Sequence, residues 1–198
     1  MTAFSALKPK KVLFIATRQI GDVLVTTPLI SQARQLWPNA EFHFLGYRDK
    51  LDMLKGNPDI AQTIETSDRP KLKEYLSLFF RLFQRYDLAV LTQPSDRTYF
   101  YGLIAAHQRV GVLGGHPQGL TEQDKAKKSK SDKQNAWKKA ISLHTVDVDY
   151  FAQHVITEKL RLLEVFCLNP LELFKKPISV TAPACDPITP SIAAQLRS

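Results

Sequence analysis

The sequence predicts an α/β domain built on a parallel sheet, and three observations predict it. The stretch Lys11–Trp37, KVLFIATRQIGDVLVTTPLISQARQLW, passes from an apolar run through a short polar turn into an apolar-periodic segment. Its first part, Val12–Ala16, shows no alternation, which suits a strand covered on both faces. Further apolar runs at Leu88–Thr92 and Arg109–Leu113 are separated by helical patterns, the rhythm of strand-helix units.

Each element follows in order. After the first strand, Val25, Leu29, Ile30, Ala33, Leu36 and Trp37 fall at helical spacing. Pro28 either kinks this helix or moves its start to Thr27, with Pro28 as first helical residue. Pro38–Asn39 stops it, and Glu41–Tyr47 alternates as a second strand. Lys50–Lys55 reads as a short helix closed at Gly56–Asn57–Pro58, and Ile60–Ile64 as a third strand. Lys71–Arg85 is a helix whose polar stripe (Lys73, Glu74, Ser77, Arg81, Gln84, Arg85) is narrow. That predicts deep packing on the sheet; the alternative is a basic amphipathic helix resting on a membrane. Pro94 ends the Leu88–Thr92 strand, Tyr99–His107 is the next helix, and Arg109–Leu113 one more strand. Gly114, Gly115, Pro117 and Gly119 then break regular structure. A helix is expected from Asp149 or Phe151 through Leu168, stopped by Asn169–Pro170. Pro177, Pro183, Pro187 and Pro190 mark a linker, and Ser191–Ser198 reads as the first turns of another helix. The expected division is a domain over 1–176 and a linker with the start of a second domain over 177–198.

With 198 residues and 44% hydrophobic content, the chain can bury a real core. No apolar run approaches the roughly 18 residues of a membrane span, and Met1–Lys11 lacks the apolar core of a signal peptide. A cytoplasmic location is expected. Cys167 and Cys185 form no CxxC pair, consistent with a reducing compartment and against structural zinc. The net charge of +8 is uneven: Asp124–Lys139 holds seven lysines against two aspartates. Such a segment is either a solvated loop or a contact for nucleic acid, an anionic membrane or an acidic substrate. Nucleic acid is disfavoured because no reading motif accompanies the charge.

Thr17 to Asp22 fall at the C-terminal edge of the first strand, where ligands of such folds gather. Gly21 suits a tight turn in which a side chain would clash. Asp22 stands where a helix should start, so its carboxylate either caps exposed N–H groups or serves as a general base. The glycine pattern of dinucleotide folds and the GxxxxGK[ST] phosphate loop are both missing, as is a GxSxG elbow. The five histidines lack metal-ligand spacing, and the DVD triplet Asp147–Asp149 does not follow an apolar strand. No metal site is expected.

The run RQIGDVLVTTPLISQARQLWPNAEFHFLGY resembles the opening of glycosyltransferase family nine, the ADP-heptose:lipopolysaccharide heptosyltransferases, with their GD-x-L-x-T-x-P, helix, Pro and second strand. The similarity continues through YDLAVLTQPSDR, RVGVLGG and HVITEKLRLLEVFCL. Arg18 before IGD, with NAWKKAISLH, resembles most the heptosyltransferase III branch. The resemblance implies the Rossmann-like N-terminal domain of a GT-B fold, which binds the acceptor while a second domain binds the nucleotide sugar. It implies no metal and no cofactor beyond the donor substrate ADP-heptose, and a location at the cytoplasmic side of the inner membrane.

On this resemblance Asp22 deprotonates the acceptor hydroxyl, and Gly21 lets the backbone pass close. Thr17, Arg18, Gln19, Ser95, Asp96 and Arg97 contact the acceptor, a lipopolysaccharide core. The donor half is missing, either by truncation or because another polypeptide supplies it in trans. The competing expectation is a non-catalytic paralogue that binds anionic glycolipid or membrane through Lys127, Lys128, Lys130, Trp137 and Lys138.

Overall fold

The computed structural model describes residues 7–114, 135–148 and 154–167. Strands β1 (Lys11–Ala16), β2 (Glu41–Tyr47), β3 (Gln62–Thr66), β4 (Tyr86–Leu91), β5 (Ala106–Gly114) and β6 (His144–Val148) form one sheet. All five pairings are parallel and the order is β3-β2-β1-β4-β5-β6. This is the doubly wound, Rossmann-like arrangement, with its topological switch between β1 and β4. The helices are α1 (Ile20–Leu24), α2 (Thr27–Leu36), α3 (Leu72–Leu82), α4 (Asp96–Ala105), α5 (135–141) and α6 (Val155–Leu160). Single 3₁₀ segments occupy Arg48–Leu54 and Arg161–Phe166.

The lack of alternation in β1 has its reason in two cores. Val12, Phe14 and Ala16 pack with Leu29, Ile30 and Ala33 of α2 and Leu160 of α6 on one face. Leu13 and Ile15 pack with Leu78, Leu82, Tyr99 and Tyr101 on the other. Both sets of β1 residues are fully buried, so either face of the strand selects apolar side chains.

Pro28 takes the second of its two options. The chain makes the short α1, breaks, and restarts at Thr27 with Pro28 in the first turn of α2. There a missing N–H costs nothing. The third strand begins two residues later than expected, because the Asn57 turn extends through Ile60. Ala61 N–H then bonds to Phe42 O before the ladder starts.

Two elements escaped the sequence reading, α5 and β6. In β6 only Val146 and Val148 point inward, so the strand is two apolar residues among polar ones. Asp147 therefore lies within a strand, exposed. The helix α3 corrects an expectation. Only Leu78 and Leu82 are buried, while Leu72, Leu76, Phe80 and Phe83 are 75%, 52%, 69% and 54% exposed. The apolar arc of this helix is wider than the sheet face and α4 can cover, so it is not deeply packed.

The lysine-rich segment before residue 135, the helix start at Asp149 or Phe151, its stop at Asn169–Pro170, the prolines from Pro177 to Pro190, the Ser191–Ser198 stretch and the 176/177 boundary all lie outside the described residues.

Candidate functional site

The site grows from the switch point, where the loops after β1 and β4 diverge and leave a crevice. Those loops are stitched together. Thr17 N–H donates to Gln93 Oε1 at 2.8 Å, Thr92 Oγ1 to Ile15 O at 2.9 Å, and the hydroxyls of Thr17 and Thr98 lie 3.1 Å apart. Ser95 caps α4, its Oγ accepting from Thr98 N at 3.2 Å. Gln93 Nε2 is buried here with no partner among the described residues.

Above these loops opens a cleft of about 810 Å³ lined by Thr17, Arg18, Gln19, Tyr47, Asp49, Lys50, Asp68, Pro94, Ser95 and Arg97. Five of the anticipated acceptor residues therefore share one wall: Thr17, Arg18, Gln19, Ser95 and Arg97. Arg97 is also a brace. Its Nη1 donates to Tyr47 Oη at 2.8 Å and to Asp68 O at 2.6 Å, tying the ends of β2 and β3 to α4. Burial, and then the Asp68 carboxylate, push the Tyr47 phenol above its ordinary value.

Asp22, on α1, is not among the residues that line the cleft but is bonded to one that is, Gln19. Asp22 is the third residue of that helix, and its Oδ2 accepts from Gln19 N–H at a long 3.3 Å. The carboxylate thus reaches back to the residue before the helix while staying partly exposed. Gly21 needs correcting. A Cβ there would meet nothing within 4 Å, and the residue does not take a positive φ, so no clash demands glycine.

Asp96 turns away from its neighbours and pairs with Lys138 of α5, Oδ1 to Nζ 2.7 Å. Lys138 also donates to Pro94 O at 2.6 Å and is only 5% exposed. It is therefore no outward anion contact, since its charge is spent inside, holding the β4–α4 loop. Trp137 is 38% exposed and meets the Tyr99 ring edge-on. Lys127, Lys128 and Lys130 lie outside the described residues.

No local pattern pointed to Lys159. This α6 residue is 3% exposed, and its Nζ donates to Asp22 O at 3.0 Å and Thr26 Oγ1 at 2.9 Å. Burial pushes its ammonium down to about 8, against the pull of the Asp22 charge. Tyr47, Asp49, Lys50 and Asp68 were missed as well. Their one signal was position, at or just past the ends of β2 and β3. Among the described residues no group of three or more His, Cys, Asp and Glu is placed to hold a metal, and no helix is long and apolar enough to cross a membrane.

No family model matches the chain. It is 29% identical over 154 residues to lipopolysaccharide heptosyltransferase 3 of Escherichia coli strain K12, covering 74% of this chain and 40% of that protein. The chain thus spans less than half the length of this relative. Among solved structures, a glycosyl transferase family 9 protein from Veillonella parvula DSM 2008 superposes with a TM-score of 0.64 at 15% identity, over 89% of this chain and 45% of that one. The E. coli heptosyltransferase WaaC, solved with ADP, gives 0.55 at 13% identity, over 87% and 50%. At such identities these two likenesses speak for the fold. In sequence and fold together, the chain is heptosyltransferase-like, similar to part of a family-nine glycosyltransferase and carrying a Rossmann-like sheet of the GT-B kind.

Proposed function

We propose that this chain is the acceptor-binding half of an inverting glycosyltransferase that moves heptose from ADP-heptose to the inner core of lipopolysaccharide. The observation that carries the reading is the cleft at the switch point, lined by Arg18, Lys50 and Arg97 and by Gln19, whose N–H holds the Asp22 carboxylate. Cationic side chains and hydroxyls in one crevice suit a phosphorylated sugar acceptor.

In the reaction, Asp22 exchanges its long contact with Gln19 N–H for the proton of the attacking hydroxyl. That oxygen forms the new bond to the anomeric carbon as the bond to ADP breaks on the opposite face, and ADP leaves with the electron pair. Lys159 grips the Asp22 carbonyl and Thr26 from beneath, which holds α1 in place. Arg97 keeps the cleft wall rigid through Tyr47 and Asp68. On this reading donor binding is the task of a second half, corresponding to length of the relatives that this sequence does not span.

The test joins this chain to a C-terminal half from a heptosyltransferase and compares wild type with Asp22→Asn. An amide cannot take the proton, so transfer should fall about a hundredfold or more while stability changes by only a fraction of a kcal/mol. Wild-type transfer by the variant would return Asp22 to a purely structural role and overturn the mechanism.

A further inference from the structure

The most exposed apolar surface among the described residues is on α3. Leu72, Leu76, Phe79, Phe80 and Phe83 recur at helical spacing, in a stripe roughly a third of a turn from the buried Leu78 and Leu82. Across from it, α4 exposes Phe100 and Leu103 by 51% and 40%. Between the two helices runs a groove of about 230 Å³ whose walls include Tyr75, Phe79 and Ile104. A contiguous apolar face of this kind marks an interaction site.

Its border says with what. Arg69, Lys71, Lys73, Arg81 and Arg85 are all exposed, and none makes an ion pair among the described residues. The acid among them, Glu74, is occupied by Lys71 N–H at 2.9 Å and Ser67 Oγ at 3.2 Å. A helix with an outward apolar stripe flanked by free cations has the make-up of an interfacial helix on anionic lipid. A second copy of the chain fits badly, because a two-fold contact would bring the same five cations against themselves.

We propose that the α3–α4 face docks this protein on an anionic membrane, with α3 lying in the headgroup layer. Its position agrees with the cleft. Asp68 lines the cleft and is held by Arg97, and α3 starts four residues later. The helix extends about 16 Å from that rim. A glycolipid acceptor can then keep its acyl chains in the bilayer under α3 while its sugar reaches the crevice. This last step rests on the proposed function, whereas the docking itself does not.

The experiment is co-sedimentation of the full chain with vesicles of phosphatidylcholine alone or with about one third phosphatidylglycerol, at low and high salt. Binding to the anionic vesicles that fades with salt is expected, with little to the neutral ones. The double variant Leu76→Ser/Phe80→Ser changes only exposed side chains and should weaken binding on the order of tenfold, as should Lys73→Glu/Arg81→Glu. A tryptophan at Phe80→Trp should shift to the blue on vesicles. Equal binding to both vesicle types, no binding at low salt, or full binding by the double variants would overturn the proposal. So would a dimer in light scattering that Leu76→Ser/Phe80→Ser dissociates, which would assign the face to a second copy. Asp22→Asn should bind vesicles like wild type, so wild-type transfer by that variant with docking intact would strike the catalytic reading alone.

Discussion

Replacing Lys159 by methionine tests how the Asp22 helix is held. The lysine is buried, and its pKa is pushed from the ordinary 10.5 down to about 8. The sign follows from linkage. Between those two values the unfolded chain carries a proton on this group that the folded chain has lost, so stability rises with pH there. Below about 8 both states are protonated and the contribution is flat, at its least favourable. The full difference corresponds to about 3 kcal/mol, and the part gained between pH 7.5 and 9.5 to about 2 kcal/mol. Buried tyrosines work the other way at higher pH. Burial pushes Tyr86 up to about 12 and raises Tyr99 as well, so each favours the folded state less as pH passes the ordinary phenol range. The difference between wild type and Lys159→Met cancels them. Methionine keeps the buried stem, and Thr26 Oγ1 still donates to Asp22 O at 2.7 Å. Urea unfolding followed by circular dichroism at steps from pH 7 to 9.5 should therefore show a rising wild-type stability and a flat Lys159→Met, with the variant at least as stable at pH 7. A wild type without slope, or a variant that keeps it, would refute the buried-cation argument.

Three further outcomes can be measured. Gly111→Ala would set a Cβ 2.5 Å from Tyr99 Oη, where that hydroxyl donates to Val112 O; it should cost about 2 kcal/mol in the same unfolding assay. Gly21→Ala meets open space inside α1 and should raise stability by about 0.5 kcal/mol or more, so a large loss would restore the glycine to a required role. Calorimetry should find no ADP binding by this chain alone, with binding gained when a C-terminal half is added, and tight binding by the chain alone would overturn the division of labour.

Much of this molecule was legible locally. The unbroken Val12–Ala16 run announced a strand covered on both faces, and the polar turn after it announced the edge at which the cleft opens, because burial and chain reversal write themselves into neighbouring residues. Pro28 likewise carried its own start signal for α2. What the sequence alone left open is what covers what. The wheel of α3 displays an apolar arc but not which part the sheet takes, and the tertiary packing leaves Phe80 and Phe83 outside. A lysine reads as surface by default, yet Lys138 neutralises Asp96 and Lys159 reaches Asp22 across 137 residues. Such pairings depend on the distances set by the folded sheet, and no local pattern encodes them.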